Sequence, residues 1–177
     1  MELSCKSDFI QRVQLKYLLG GLIGFGLAVP AGIIQADMAM NRVLHNTQWI
    51  IGAHVHIAII VGLYMTLYSA VYVLWPHVTN NAKLWSQKLA NTHFWLHLIG
   101  GIGMGAFMGM AGLDGMLRRH MYFNGEFDLM MILAGVCGAM VLLAWIIFLF
   151  NIIMSIGLKG LIGIFLPSKN KESSYGI

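Results

Sequence analysis

Apolar residues fill four long stretches of the chain, and shorter polar stretches separate them. The apolar stretches cover residues 17–34, 48–75, 91–113 and 129–152. Each comes close to or exceeds the length of about 20 residues with which an α-helix crosses a bilayer. Because lipid offers no partners to unpaired backbone groups, only helices and closed barrels span it, and stretches of this length favour helices. The pattern predicts an all-α membrane protein with four transmembrane helices.

The amino-acid composition supports this location. Hydrophobic residues make up 58% of the 177 positions and charged residues only 10%, whereas soluble domains carry about 25% charged residues. The formal net charge of +4 comes from scattered cations, so it indicates membrane topology rather than binding to nucleic acid. Cys5 and Cys137 are too few and too unlike in setting to indicate a disulfide framework or a thiolate metal site.

The distribution of lysine and arginine predicts how the chain is oriented. Most of these cations lie near the N-terminus, around residues 76–90 and in the C-terminal tail: Lys6, Arg12, Lys16, Lys83, Lys88, Lys159, Lys169 and Lys171. Positive residues favour the cytoplasmic side, so we expect a multi-pass protein of the cell membrane with both termini inside. Residues 1–16 are interpreted as a polar lead-in without a signal-peptide pattern, 17–155 as the transmembrane region, and 156–177 as an interfacial segment and tail.

Two histidines stand one residue apart in the second apolar stretch, His54 and His56 of IIGAHVHIAIIVGLY. Successive side chains on an α-helix turn by about 100°, so these rings point about 200° apart and cannot grip one metal ion. An imidazole in lipid needs a hydrogen bond, a proton-relay partner or a metal. For two rings on opposite faces we favour ligation, because neutral imidazole is an axial ligand of haem iron. The pair therefore predicts two haems, one on each side of the helix.

Two adjacent arginines, Arg118 and Arg119, follow the third apolar stretch in GLDGMLRRH. The lysine distribution puts this segment on the outer side, which argues against an ordinary topology signal. Because guanidinium groups pair well with carboxylates, the arginines are candidates for holding haem propionates. Asp114 is interpreted as their counter-ion.

Three segments resemble subunit I of the haem-copper oxygen reductases, the family of cytochrome c and quinol oxidases. They read GGLIGFGLA, VLHNTQWIIGAHVHIAI and NTHFWLHLIGGIGMGAFMGMAGLDGMLRRHMY, in the family's order and near its spacing. The resemblance covers residues 20 to about 155 and looks like helices nine to twelve of a twelve-helix subunit. It implies a subunit I divided between two polypeptides, in which this chain completes the bundle of its partner.

The resemblance also implies roles for individual residues. His54 matches the axial ligand of the high-spin haem iron that faces copper, and His56 matches an axial ligand of the low-spin haem iron. Arg118 and Arg119 match the arginines at the haem propionates. His45 matches an outer histidine near the propionates and a magnesium ion, but the aspartate that commonly follows it in the family is replaced by asparagine here. The magnesium site is therefore left open.

The implied activity is that of a terminal respiratory oxidase that reduces O2 to water, coupled to proton translocation. In the family, earlier helices carry the copper ligands, the second ligand of the low-spin haem and the active-site tyrosine. The chain would thus be inactive alone, and the N-terminal part of subunit I, a separate chain, would hold the copper. Other oxidase subunits and an electron donor would complete the complex, the donor being cytochrome c, a small metalloprotein or a quinol. The haem type stays open.

Three other functions share features with this pattern. The nitric oxide reductase branch of the superfamily shares the paired haem ligands, and a non-catalytic structural subunit of a respiratory complex would keep the helices. Both remain alternatives, although the presence of both histidines and both arginines argues against the structural one. A four-helix dihaem cytochrome b pairs histidines across two helices at a spacing that this sequence lacks.

Further polar residues occur at helical spacing within the apolar stretches. His93 and His97 stand four apart and could bind a metal on one helix face, but a solvent-side or packing role is favoured. Tyr64, Tyr68 and Tyr72 form a similar stripe that could line a proton route, although hydrogen bonding between helices or interfacial anchoring is favoured.

Small residues recur at four-residue spacing in the first and third stretches. Such spacing lets helix backbones approach closely and predicts a tightly packed bundle. The positions are Gly20, Gly24, Gly101, Gly105 and Gly109.

Overall fold

The computed structural model describes the backbone of residues 2–37, 49–79, 84–114, 122–123 and 126–165. Four helices within it are long and apolar enough to cross a membrane, which confirms the four predicted spans. These spans are Gln11–Ala36, Trp49–Trp75, Gln87–Leu113 and Leu129–Gly157. His45, Asn46, Arg118 and Arg119 lie outside the described residues.

The helices and strands follow one another in a simple order. They are α1 (Glu2–Ala36), α2 (Trp49–His56), a π-helical segment (Ile57–Leu63), α3 (Tyr64–Thr79), α4 (Gln87–Leu113), β1 (Tyr122–Phe123), β2 (Glu126–Phe127) and α5 (Leu129–Phe165). The second span is therefore one continuous rod of α2, the π-helical segment and α3. The two strands pair antiparallel in a short hairpin, a small addition to an all-α fold. Within α5 the backbone breaks at Gly157, where φ is 73°.

Spans that are consecutive in sequence pack against each other: α1 on the second span, α2 on α4, and α4 on α5. Glycines make the first two contacts close. A Cβ built on Gly24 would stand 2.4 Å from the Gly62 nitrogen, and one on Gly105 would stand 2.4 Å from Ile57 Cγ1. The glycine spacing thus serves helix packing, as predicted, although Gly109 makes only ordinary contact with Ala53.

Two buried clusters form the interior of the bundle. The smaller one lies around Ala53, Met108 and Ala134, near the paired histidines. The larger one holds most of the buried aromatic rings, and we call the following set the tyrosine cluster: Tyr17, Tyr68, Tyr72, His93, His97 and Phe148. Many large apolar side chains point outward, as expected for a surface that lipid or other membrane helices cover.

Candidate functional site

His54 lies on α2 with its ring against α1. A Cβ built on Gly32 of α1 would stand 2.8 Å from Cε1 of this ring, so the glycine makes room for the imidazole. The Nδ1 atom of His54 is buried and has no hydrogen-bond partner among the described residues. A buried polar nitrogen without a partner is costly in a membrane interior, so ligation or a further hydrogen bond would stabilise this ring.

His56 ends α2 and has its ring oriented by the helix itself. Its Nδ1 lies 2.6 Å from the backbone oxygen of Gly52, four residues earlier. A carbonyl oxygen only accepts, so Nδ1 carries the hydrogen and Nε2 keeps its lone pair. This is the arrangement in which a backbone contact orients a metal-ligating histidine. The half-buried His56 could therefore bind a metal through Nε2.

The two imidazoles belong to one α-helical turn and diverge as that geometry requires. Between them Val55 is 41% exposed on the outer face, whereas Ala53 is buried against α4. Large ligands on the two sides would therefore be separated by the body of α2.

The π-helical segment begins directly after His56 and is held from two sides. Backbone of Val61 and Gly62 lies against Gly24 of α1. From α4, the Nε2 atom of His97 donates a hydrogen bond of 2.8 Å to the Ile60 oxygen. Wide π-type turns are frequent at functional sites, where they re-aim the side chains that follow.

His93 and His97 do not lie at a surface, because both are 0% exposed within the tyrosine cluster. The Tyr17 hydroxyl donates to the Ala90 oxygen at 2.9 Å. Since that hydroxyl has one hydrogen, His93 Nδ1 is the donor in its 2.5 Å contact with the Tyr17 oxygen. Tyr72 adds a longer contact of 3.2 Å to the same nitrogen. In the described structure this pair therefore has the packing role and not the solvent-side role, and hydrogen bonds support the packing.

Metal binding by the His93 and His97 pair gains no support from their surroundings. No group of three histidine, cysteine, aspartate or glutamate side chains that could hold a metal ion occurs within the described parts of the chain. Aromatic rings enclose the pair instead: Tyr68 lies 4.6 Å from His93 and 5.1 Å from His97 between ring centroids. His97, Tyr64 and Trp145 also border a cavity of about 570 Å³ between α3 and α5.

Sequence reasoning overlooked Tyr17, which lies at the start of the first predicted stretch. It is 1% exposed and is the residue of α1 that binds both Ala90 and His93. A tyrosine near a membrane boundary is ordinarily an interfacial anchor, so its sequence position gave no signal of this partner. Asp114 ends α4 and is exposed; its predicted pairing with the arginines falls outside the described residues.

Comparison with known proteins gives consistent matches over most of the chain. A family model described as "Cytochrome C and Quinol oxidase polypeptide I" matches residues 5–140. A cytochrome c oxidase subunit 1 homolog of Agrobacterium tumefaciens (strain T37) is 33% identical over 103 residues, 58% of this chain and 19% of the relative. A Cbb3-type cytochrome c oxidase subunit of Stutzerimonas stutzeri is 33% identical over 112 residues, 63% of this chain and 23% of the relative.

Cytochrome c oxidase subunit 1 of Rhodobacter capsulatus is 30% identical over 144 residues, which cover 73% of this chain and 27% of the relative. In each comparison the matched region is only about a fifth to a quarter of the relative's own length. The chain is thus similar to one part of these larger proteins.

Proposed function

The chain belongs to the family of subunit I of the cytochrome c and quinol oxidases, and we propose that it is the C-terminal, haem-ligating part of a terminal oxidase that reduces O2 to water. The chain spans about a fifth of the length of these relatives, and in this proposal a separate, larger chain carries the remaining helices. That chain would hold the copper and the second axial ligand of the low-spin haem.

The hydrogen bond between His56 Nδ1 and the Gly52 oxygen carries this proposal. It leaves the Nε2 lone pair free and fixes the ring plane, so that His56 fits an axial ligand of the low-spin haem. A histidine that served only to join helices would be expected to form a hydrogen bond from a ring nitrogen to a neighbouring helix, as His97 does with the Ile60 oxygen.

His54 fits the ligand of the high-spin haem for a complementary reason. Its buried Nδ1 has no partner among the described residues, and the half-buried ring does not form the hydrogen bond between spans that holds His97. His54 would hold the iron of this haem, and the haem together with copper would supply the four-electron chemistry of O2 reduction. The residues of this chain place and orient both rings.

The remaining parts of the proposal depend on the sequence. Arg118 and Arg119 would hold the haem propionates by charge-assisted hydrogen bonds, and His45 would lie near them on the same side of the membrane. The termini and most lysines would face the cytoplasm. Proton translocation would accompany O2 reduction in the assembled oxidase, and the donor would be cytochrome c, a small metalloprotein or a quinol.

The test is a spectroscopic comparison of the complex purified from native membranes through a C-terminal tag on this chain. We expect a larger multi-helix polypeptide to co-purify, together with copper, a low-spin haem and a high-spin haem. His56→Ala should remove the low-spin absorption and electron paramagnetic resonance signals. His54→Ala should remove the high-spin signal and abolish O2 consumption.

Val55→Ala is the matched control, because it lies between the two histidines and points outward. It should keep both haem signals and most of the activity. Two unchanged haem signals in both histidine variants would contradict the assignment. A complex with haem and non-haem iron but no copper would instead favour the nitric oxide reductase branch.

A further inference from the structure

A groove of about 530 Å³ lies between the beginning of α4 and the middle of α5. Its walls are apolar side chains of α5, including Ile146 and Phe150, and its mouth carries Trp85 and Lys88. Phe150 and Ile146 precede the end of the fourth span at Gly157 by about 10 and 16 Å along the helix axis. The groove therefore runs from the membrane boundary into the hydrocarbon region.

Two buried polar side chains of α5 fix the mouth of this groove. Asn151 is 0% exposed; it accepts a hydrogen bond from the Ser86 nitrogen at 2.9 Å and donates one to the Ser86 oxygen at 3.1 Å. The Ser155 hydroxyl accepts a hydrogen bond of 2.9 Å from the backbone nitrogen of Trp85. Polar groups are expensive inside a membrane span, and here they attach the segment before α4 rigidly to α5. Trp85 and Lys88 are thus held at a defined place.

The charge at the mouth is positive. The first turn of α4 contains no acidic residue, and Lys88 forms no ion pair within the part of the chain that the structure describes. Trp85 is 51% exposed and packs edge-on against Phe150 with ring centroids 5.2 Å apart. A tryptophan in this position is typical of the headgroup level of a bilayer.

We infer that this groove binds an anionic phospholipid, with its phosphate on Lys88 and an acyl chain along Ile146 and Phe150. The combination of a cation at the boundary with an apolar groove below it complements a molecule that is anionic at one end and a hydrocarbon chain at the other. Lysines near a membrane surface attract anionic lipids by about 1 kcal/mol each. The site requires only that the four helices span a bilayer, so it does not depend on the haem assignment.

The test uses the native complex, stripped of lipid by detergent exchange and reconstituted in nanodiscs of phosphatidylcholine containing increasing brominated phosphatidylglycerol. Bromine on the acyl chain should quench the fluorescence of Trp85, identified by subtracting the signal of a Trp85→Phe complex. Brominated phosphatidylcholine at the same fraction should quench much less. Lys88→Gln should weaken the phosphatidylglycerol effect about fivefold.

Lys16→Gln is the matched control, because Lys16 is an exposed lysine that bonds to Asn91 away from the groove. It should leave the quenching curve unchanged. Equal quenching by the two lipids, or equal curves for the two lysine variants, would overturn the inference. So would the absence of any Trp85 quenching, since another polypeptide would then cover the groove. Lys88 is exposed, so its replacement leaves folding intact.

Discussion

Two pairs of histidines lie in membrane spans of this protein, and they differ in how their nitrogens are used. In the third span, His93 and His97 are fully buried. One ring nitrogen of each forms a hydrogen bond to another span: His93 to the Tyr17 hydroxyl and His97 to the Ile60 oxygen. In the second span, His54 has no hydrogen-bonded partner for its buried Nδ1 among the described residues, and His56 bonds only to its own helix.

This difference agrees with a packing role for His93 and His97 and with the ligand role that we propose for His54 and His56. The rings of His93 and His97 also have one nitrogen each without a partner in the described structure, but Tyr68 and Phe148 pack against them. The rings of the second span are only half-buried, and the helix body between them allows one large ligand on each side.

The largest loss of stability is expected from a substitution at the contact between α1 and the π-helical segment. This segment follows His56 and also accepts the hydrogen bond from His97. Gly24→Ala would place a Cβ 2.4 Å from the Gly62 nitrogen and 2.7 Å from the Val61 carbonyl carbon. Backbone atoms cannot move aside cheaply, so we expect a loss of about 2–3 kcal/mol in stability. The thermal denaturation midpoint of the complex measures this loss.

Gly26→Ala is the control on the same helix, since nothing lies within 4 Å of its added Cβ. It should be neutral or stabilise by up to about 1 kcal/mol through helix propensity. Because the displaced segment adjoins His56, Gly24→Ala should also shift the low-spin haem spectrum, whereas Gly26→Ala should not. Identical behaviour of the two variants would show that the contact with α1 does not position the histidines.

The sequence contained enough information for the spans and for the divergence of His54 and His56. Span length depends on a run of apolar residues, and divergence depends only on the period of a helix. The π-helical segment was not predictable, because IAIIVGL is apolar on all sides and lacks a period that distinguishes one helix type from another. Its position depends on Gly24 and His97, which come from two other spans.

The roles of His93 and Tyr17 were equally hidden in the sequence. They lie 76 residues apart in the chain, and no local pattern indicates which polar residue of one span meets which residue of another. Asn151 did carry a usable signal, since a polar side chain in a membrane span ordinarily has a partner. Its partner, the backbone of Ser86, could not be read from any side-chain pattern.

Replacement of His97 tests directly whether the two histidine pairs have different roles. His97→Leu removes the donor to the Ile60 oxygen and the ring contact with Tyr68, so we expect a loss of about 2 kcal/mol. Both haem signals should nevertheless remain, because the iron ligands that we propose are His54 and His56. Loss of a haem signal in this variant would show that the distinction between structural and ligand histidines is wrong.

His97→Gln separates the contribution of the hydrogen bond from that of the ring packing. Its amide can still donate to the Ile60 oxygen, so the variant should lie between the wild type and His97→Leu in thermal stability. If the two substitutions lower the denaturation midpoint equally, the hydrogen bond to the π-helical segment contributes nothing and only the ring packing matters.

The smallest effect is expected from single hydroxyl groups in the tyrosine cluster. Tyr17→Phe keeps the ring but removes the contacts of 2.9 Å to the Ala90 oxygen and 2.5 Å to His93 Nδ1, so a loss of about 1–1.5 kcal/mol follows. Tyr72→Phe removes the longer 3.2 Å contact to His93 and should cost about 0.5 kcal/mol. Denaturation midpoints of the two complexes compare them, and neither variant should change the haem spectra. A larger loss for Tyr72→Phe would mean that His93 is held mainly from the second span, which would tie the structural pair to the helix that carries the ligand pair.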